Sequence, residues 1–322
     1  MRSAALVRSA AAVTAPSTAR VRRCGALARA ALVACGGITR AVPGFETTPF
    51  RMAGDQLVWI SQTGPDHPRT VLIDGGTAGD VLEVGEDTEI AHSDAVETLG
   101  GCGFSIDDAR TTACRAILGL IDISIPRGFA GLLIGQSPPF PLSHRVDAVH
   151  ALAQAGAADD AAAFVQHAQR LLGVGSGLTP SGDDFVGGAL FALRWIGAKT
   201  AASGALHQPC DGERHASHWQ QAASQLVTHA ASRTHVISAT LLADLARGRS
   251  YVALHDFAAG IRLGDAAAAF THANTLVSIG ASSGWDMLAG FMAALRGTAV
   301  ALMPAPLFDT PHSRTQHLHP YL

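Results

Sequence analysis

The sequence predicts an α+β protein in which a β-rich N-terminal part is followed by a largely helical C-terminal part. Between Leu57 and Ile134, short β-type runs alternate with glycine and proline. After Pro141, apolar residues recur at helical spacing. The chain has 322 residues and is 48% hydrophobic, so it is long enough to bury about three quarters of its unfolded surface. We therefore expect two subdomains.

Composition sets the expected boundaries of these parts. Residues 1–45 are rich in Ala and Arg and contain no acidic residue, and we predict that they form a disordered extension. The β-rich subdomain is predicted at 46–141 and the helical subdomain at 142–305. Residues 306–322 are predicted to be a tail.

Within the β-rich part, hydrophobic runs bounded by turn residues predict the strands. These runs are 57–60, 70–73, 81–84, 121–125 and 129–134. Turns are predicted at 75–76 and 85–86, and a helix runs from the capping residue Ser105 to Leu120.

The helical part is predicted to contain helices at 146–155, 159–172 and 219–247, from their apolar spacing. The second of these ends at Gly173, which is typical of a helix C-cap. Residues 198–214 show no periodicity and are predicted to be a flexible connector.

Charge and cysteine usage exclude several classes of protein. The net charge is −3 and only 6% of residues are aromatic, so no basic face with stacking residues indicates nucleic-acid binding. The five cysteines form no Cys-x-x-Cys pair, which argues against a zinc site and a disulfide framework and favours a reducing cytoplasm. No apolar run is long enough to predict a membrane span.

One alternative location stays open at this point. Arg22-Arg23 precede Leu32-Val-Ala-Cys35, a pattern similar to a lipoprotein cleavage site. Under that interpretation the protein would be a lipid-anchored, extracytoplasmic binding protein. Arg29 interrupts the apolar stretch, and we prefer the cytoplasmic interpretation.

A glycine-rich segment at 173–184 is the strongest candidate site. Its glycines permit positive φ, so that backbone amides can point into one concavity. Thr179 is predicted to be an N-cap and Pro180 the first residue of a helix. The groups predicted to bind phosphate or substrate here belong to Gly175, Ser176, Gly177, Thr179, Ser181 and Gly182.

The same helix start carries two acidic residues, Asp183 and Asp184. Free amides at a helix N-terminus favour an anion, whereas two carboxylates repel one. A bound Mg²⁺ resolves this conflict, as does an amino or amide donor on the substrate. We predict catalytic and Mg²⁺-binding roles for both residues. The alternative is that they only complement the helix dipole.

Residues 283–296 repeat the pattern of 181–194 without a gap, with Ser, Gly, Asp, Gly, Ala, Leu and Arg at matching positions. Asp286 thereby corresponds to Asp184 and is predicted to be a third Mg²⁺ ligand, while Ser283 and Gly284 are predicted to bind substrate. If both helix starts face one cavity, the carboxylates of Asp184 and Asp286 should lie within roughly 12 Å.

A polar cluster interrupts the predicted helix at 219–247. Arg233 is predicted to bind a substrate carboxylate, because its guanidinium suits bidentate contacts, or to stabilise charge on the carbonyl oxygen during group transfer. His235 is the nearby candidate base. Ser232, Thr234 and Ser238 are predicted to bind substrate. Alternatively, the hydroxyls bond their own helix and Arg233 is solvated.

The segment Gly-Ser-Gly-Leu-Thr-Pro-Ser-Gly-Asp-Asp at 175–184, followed by Ser-Arg-Thr at 232–234 and Ser-Ser-Gly-Trp-Asp at 282–286, resembles the AllH-type subunit family of oxamate carbamoyltransferase. The resemblance covers roughly residues 50 to 300. His235 and the N-terminal extension depart from the family pattern.

This resemblance implies a cytoplasmic enzyme of allantoin-type nitrogen catabolism that works with two other subunit types. The implied reaction exchanges a carbamoyl group between oxalurate plus phosphate and oxamate plus carbamoyl phosphate, with Mg²⁺ expected. The alternative from another class is a non-catalytic subunit that binds a metabolite or stabilises its partners.

Overall fold

The computed structural model describes residues 18–75, 81–91, 105–197 and 209–302. An N-terminal sheet is followed by a helical region, as the α+β prediction requires. The strands are β1 (Thr18–Gly25), β2 (Thr39–Ala41), β3 (Phe50–Ala53), β4 (Gln56–Ser61), β5 (Thr70–Ile73) and β6 (Val81–Ala91).

The helices are α1 (Ala26–Ala34), α2 (Ile106–Ile121), α3 (Val146–Ala157), α4 (Ala161–Gln169), α5 (Ser181–Gly197), α6 (Pro209–Arg233), α7 (Val236–Ala246), α8 (Val252–Arg262), α9 (Ala266–Val277) and α10 (Ser283–Arg296). Two 3-10 helices, Gly128–Ile134 and Leu142–Arg145, follow α2. No helix among the described residues is long and apolar enough to cross a membrane.

The sheet has the strand order β2-β3-β4-β5-β1-β6. β1 pairs antiparallel with β5 and parallel with β6, so it lies inside the sheet. Its alternating burial places Val21 and Cys24 in a core that also contains Leu32 of α1. The strand therefore depends on contacts on both of its edges and on one face.

The prediction of a disordered extension at 1–45 is wrong from residue 18 onward, because β1, α1 and β2 lie there. Two of the three arginines of β1, Arg20 and Arg22, occupy alternate, exposed positions, while the neighbouring Ala19 and Val21 are buried. Cleavage before Cys35, as the lipoprotein interpretation requires, would remove β1, an inner strand of the sheet. The predicted tail at 306–322 and most of the connector at 198–214 lie outside the described residues.

Other local predictions are confirmed or corrected by the same elements. The strands at 57–60, 70–73 and 81–84 and the capped helix after Ser105 are confirmed, with a full capping box between Ser105 and Asp108. The turn predicted at 85–86 is an irregularity inside β6, where Val21 pairs with Val84 and Arg23 with Glu89.

No strand forms at 121–125 or 129–134. The first run lies at the end of α2 and the turn after it, and the second is the 3-10 helix at Gly128–Ile134. The second run begins at Gly128 and is followed by Gly135, and both glycines have positive φ. Between them, Phe129, Ala130 and Leu133 are buried in the helical core. A short apolar run does not distinguish a strand from a buried helical turn.

The sheet contacts the helical region beside the glycine-rich segment. Phe50 and Leu57 pack with Ile237 and Leu241 of α7, and Leu178 lies against this cluster. Next to it, the buried guanidinium of Arg69 forms an ion pair with the buried carboxylate of Asp244, with 3.0 Å between Arg69 Nη2 and Asp244 Oδ1. These contacts fix α7, and the loop before α5, relative to the sheet.

Candidate functional site

The repeated sequence segments form two helices, α5 and α10, that pack closely along small residues. A Cβ added at Gly188 would lie 2.0 Å from the carbonyl oxygen of Met287, and one at Gly290 would lie 1.9 Å from that of Phe185. All four residues occupy matching positions of the repeat. The sequence repeat of 181–194 at 283–296 is therefore also a structural pseudo-symmetry, and it brings both helix starts together.

The pseudo-symmetry extends to the preceding helices. Asp160 caps α4 and Asp265 caps α9 through bonds from backbone amides in the first turn. Gly182 and Gly284 are predicted to bind substrate, and in the structure both allow close packing. A Cβ added at Gly182 would lie 1.9 Å from the carbonyl oxygen of Leu171, and one at Gly284 would lie 1.8 Å from that of Leu276.

Hydroxyl groups cross between the two helix starts. Thr179 Oγ1 and Ser283 Oγ are 2.7 Å apart, and Ser181 Oγ and Ser282 Oγ are 3.3 Å apart. Thr179, Ser282 and Ser283 are partly exposed. These hydroxyls form a polar layer in front of the buried acidic residues.

Asp184 and Asp286 lie behind this layer and are 5% and 0% exposed. Burial and the charge of Asp286 raise the pKa of Asp184 well above its ordinary value, while hydrogen bonding from Ser283 and Thr179 opposes this. The two carboxyl groups therefore lie close enough for the charge of Asp286 to affect the ionisation of Asp184.

Asp286 is held in a fixed orientation. Burial raises its pKa to about 7, while hydrogen bonds from the amide of Phe129 and from Ser181 and Ser282 act to lower it. Phe129 N donates to Asp286 Oδ1 at 2.7 Å. A Cβ at Gly128 would lie 2.1 Å from the same oxygen, so only glycine fits this approach. One oxygen of each carboxyl group, Asp184 Oδ2 and Asp286 Oδ2, has no hydrogen-bond partner.

Asp183 differs from these two residues. Its Oδ1 accepts a 2.7 Å hydrogen bond from Gly173 N, and its Oδ2 accepts a 2.6 Å bond from Ser238 Oγ. Its carboxylate thus ties the glycine-rich loop and α7 to α5. Both oxygens are already engaged by protein donors, which does not suit the predicted catalytic and metal-binding roles.

The three predicted Mg²⁺ ligands do not form a metal-binding set. Among the described residues, no group of three or more His, Cys, Asp or Glu side chains is arranged to hold a metal ion. Asp184 lies close enough to Asp286 to be affected by its charge, whereas Asp183 is bound to Gly173 and Ser238. A Mg²⁺ centre made by all three carboxylates therefore does not fit this arrangement.

The glycine-rich loop has the backbone form that its sequence predicts. Gly173, Gly175 and Gly177 have φ of 75°, 118° and 101°. Ser176 and Gly177 are exposed, and the space beside Gly177 is open. The α5 helix begins at Ser181, one residue after the predicted start. The loop is thus an open turn next to the hydroxyl layer.

Residues 171–295 match the family model described as oxamate carbamoyltransferase subunit AllH. This region is similar to the AllH family. The matched residues run from the end of the α4 segment to the end of α10, so they contain both helix starts and the helices between them. No curated protein and no solved structure matches the chain.

In the AllH-type region, the predicted helix at 219–247 is two helices, α6 and α7, with a break at Thr234 and His235. His235 is the N-cap of α7, and its ring lies 4.7 Å from that of Phe45. The two residues keep buried polar atoms, Thr234 Oγ1 and His235 Nε2, without a partner. The break arises because the polar run 232–235 favours capping over helix continuation.

Arg233 and Ser232 are exposed at the end of α6. Ser232 Oγ donates to the carbonyl of His229, as the alternative interpretation predicted. The carbonyl oxygen of Arg233 would lie 2.4 Å from a Cβ added at Gly173. The backbone of Arg233 therefore supports the loop, and no described contact joins its side chain to Asp184 or Asp286.

Four residues of this candidate site were missed by sequence reasoning. Arg127, Gly128 and Phe129 lay in or beside a predicted strand, yet they approach the start of α10, where Arg127 Nη1 donates to Ala281 O at 3.1 Å. Tyr251 is buried, and the charge of Asp184 contributes to raising its pKa. The Arg-Gly pair in an apolar run was the available sequence signal for the first three.

Proposed function

We propose that this chain is the AllH-type subunit of a carbamoyltransferase that converts oxalurate and phosphate to oxamate and carbamoyl phosphate, and the reverse. The observation that supports the proposal is that the matched residues 171–295 contain both helix starts with their buried acid pair. The protein would act in the cytoplasm, in allantoin-type nitrogen catabolism, together with two other subunit types.

The reaction breaks the bond between the carbamoyl carbon and the oxamate nitrogen and forms a bond from that carbon to a phosphate oxygen. The departing nitrogen takes up one proton. Asp286, with a buried carboxyl group of pKa about 7, is the described group best suited to donate it, since efficient proton transfer favours a pKa near the working pH.

The anionic groups of the substrates need donors. The backbone amides of the open turn at Gly175, Ser176 and Gly177 can supply them to phosphate. The exposed guanidinium of Arg127 lies beside the second helix start, where it suits a substrate carboxylate. The side chain of Arg233 has no described contact with either acidic residue of the pair. No step of this proposal passes through Mg²⁺, because the three acidic residues do not form a set that would hold it. The metal requirement stays a prediction.

The proposal is tested by co-expressing the chain with the two other subunit types and measuring carbamoyl phosphate formed from oxalurate and phosphate. We expect activity in the purified complex and a loss of at least a hundredfold in Asp286→Asn. Asp160→Asn is the matched control, because Asn also caps helices well. A complex that retains full activity with Asp286→Asn and Arg127→Gln together would favour the non-catalytic interpretation of this subunit.

A further inference from the structure

The paired helix starts leave two buried acceptor atoms unused, Asp184 Oδ2 and Asp286 Oδ2. We propose that these two oxygens together bind the N–H₂ group of an amide or ureido substrate. The chemical class of the substrate rests on the proposed function, whereas the prediction that an N–H group binds here rests on the two unused oxygens.

A buried acceptor without a donor costs free energy, so its presence in a folded protein needs an explanation. Here the two acceptors come from matching positions of two packed helices and belong to side chains that are almost fully buried. A primary amide presents two N–H bonds in one plane from a single nitrogen. Two acceptors on opposite sides of the pseudo-symmetry axis suit such a group.

The other ligand types fit less well. An anion such as phosphate or carboxylate offers mainly acceptor oxygens and so supplies no N–H group to the two unused oxygens. Mg²⁺ requires near-octahedral oxygen ligands and keeps several waters, while the third acidic residue, Asp183, is committed to Gly173 and Ser238.

The surroundings of the pair limit where the rest of the ligand lies. Asp286 Oδ1 is fixed by Phe129 N, so the unused Oδ2 has a defined position. The partly exposed hydroxyls of Thr179 and Ser283 lie on the open side. A ligand whose N–H₂ group enters between them would extend its acidic end toward the loop amides and Arg127. Amide acids and ureido acids carry both groups.

The test uses the full chain and isothermal titration with oxamate and oxalate, two small acids that differ by an N–H₂ group in place of an oxygen. We expect oxamate to bind at least tenfold more tightly than oxalate. Asp184→Asn and Asp286→Asn should each weaken oxamate binding at least tenfold, because the introduced N–H₂ group faces that of the ligand. Asp160→Asn, an exchange at a helix cap outside the site, should leave binding unchanged.

Thermal unfolding of each variant shows whether it is folded. If Asp286→Asn does not fold, binding by Asp184→Asn tests the inference. Asp184 does not accept the hydrogen bond from Phe129 N, so its replacement leaves that structural bond in place. Equal binding of oxamate and oxalate, or a preference that survives in Asp184→Asn, would overturn the inference. Binding that requires Mg²⁺ and disappears in the same variant would overturn it in favour of a metal site.

N-carbamoylglycine, a ureido acid outside the proposed reaction, separates this inference from the proposed function. If it binds in an Asp184-dependent way while oxamate does not bind and no carbamoyl transfer occurs, the N–H₂ site stands and the proposed substrate is wrong. If neither compound binds the free chain or the complex, the N–H₂ site is wrong whatever the activity.

Discussion

Gly188 of α5 lies against the carbonyl group of Met287, and its counterpart in α10, Gly290, lies against that of Phe185. An added Cβ would lie 2.0 Å and 1.9 Å from these carbonyl oxygens. Because both obstacles are helix backbone, neither can rotate away as a side chain can. The separation of the two helices, and hence of Asp184 and Asp286, depends on these two glycines.

We therefore predict that Gly188→Ala and Gly290→Ala each destabilise the protein by about 3 kcal/mol, the upper range for overpacking. Gly119→Ala in α2 is the matched control, since its Cβ would meet only the ring of Phe270 at 3.4 Å. That change should be neutral or stabilise by about 0.5–1 kcal/mol through helix propensity. Urea unfolding measures all three, and equal effects at 119 and 188 would refute the packing argument.

These glycines also show what the sequence could predict. The match of 181–194 with 283–296 is visible in the chain, and it led directly to the paired helix starts. The capping box after Ser105 and the positive-φ glycines of the loop are equally local features. The capping box and the loop each depend on residues a few positions apart, and the repeat is found by comparing the chain with itself, which is why the sequence was sufficient.

The corrected predictions depend on distant contacts. The segment containing β1 is rich in Ala and Arg, so its composition indicated disorder, and only pairing with β5 and β6 makes it a strand. Gly128 gains its importance from Asp286, and Arg127 from the carbonyl of Ala281, both of which lie far along the chain. Asp183 and Asp184 are adjacent and chemically identical, but Ser238 and Gly173 engage only the first.

Deletion of residues 1–40 should prevent the sheet from folding, contrary to what the composition of this segment suggests. The deletion removes β1 from between β5 and β6 and leaves both with unpaired edges. We expect loss of the cooperative unfolding transition of the N-terminal part and a rise in aggregation. A second deletion, of residues 1–17, is the control that keeps β1, α1 and β2. If both truncated proteins unfold at the same temperature, β1 does not stabilise the sheet.

Asp183→Asn should lower the stability of the ligand-free protein by about 2–4 kcal/mol, because a buried carboxylate with two charge-assisted hydrogen bonds is replaced. Ser238→Ala should cost about 1–2 kcal/mol by removing one of these bonds. Since the two residues share a bond, the double variant should lose less than the sum of the single losses. Denaturant unfolding of all four proteins gives the coupling. Additive losses would show that the bond contributes little.

The stability of the protein should fall as pH rises through neutrality, because of Asp286. Its pKa is 3.8 when unperturbed and about 7 in the folded protein. The folded state therefore binds this proton more tightly than the unfolded state, so the contribution is complete below pH 3.8 and is lost as pH rises through about 7.

Between pH 5 and pH 8 the loss from this group should reach roughly 3 kcal/mol, from 1.36 kcal/mol for each unit of pKa. Asp184, whose pKa is also raised, acts in the same direction. The variant Asp286→Asn keeps a side-chain oxygen that can accept the hydrogen bond from Phe129 N, but its amide group cannot ionise. The variant also removes the negative charge that helps to raise the pKa of Asp184. Chemical unfolding at the two pH values should therefore show a smaller difference for Asp286→Asn than for the unmodified protein and Asp160→Asn. An unchanged difference would mean that the proton is not bound at this pair of helix starts.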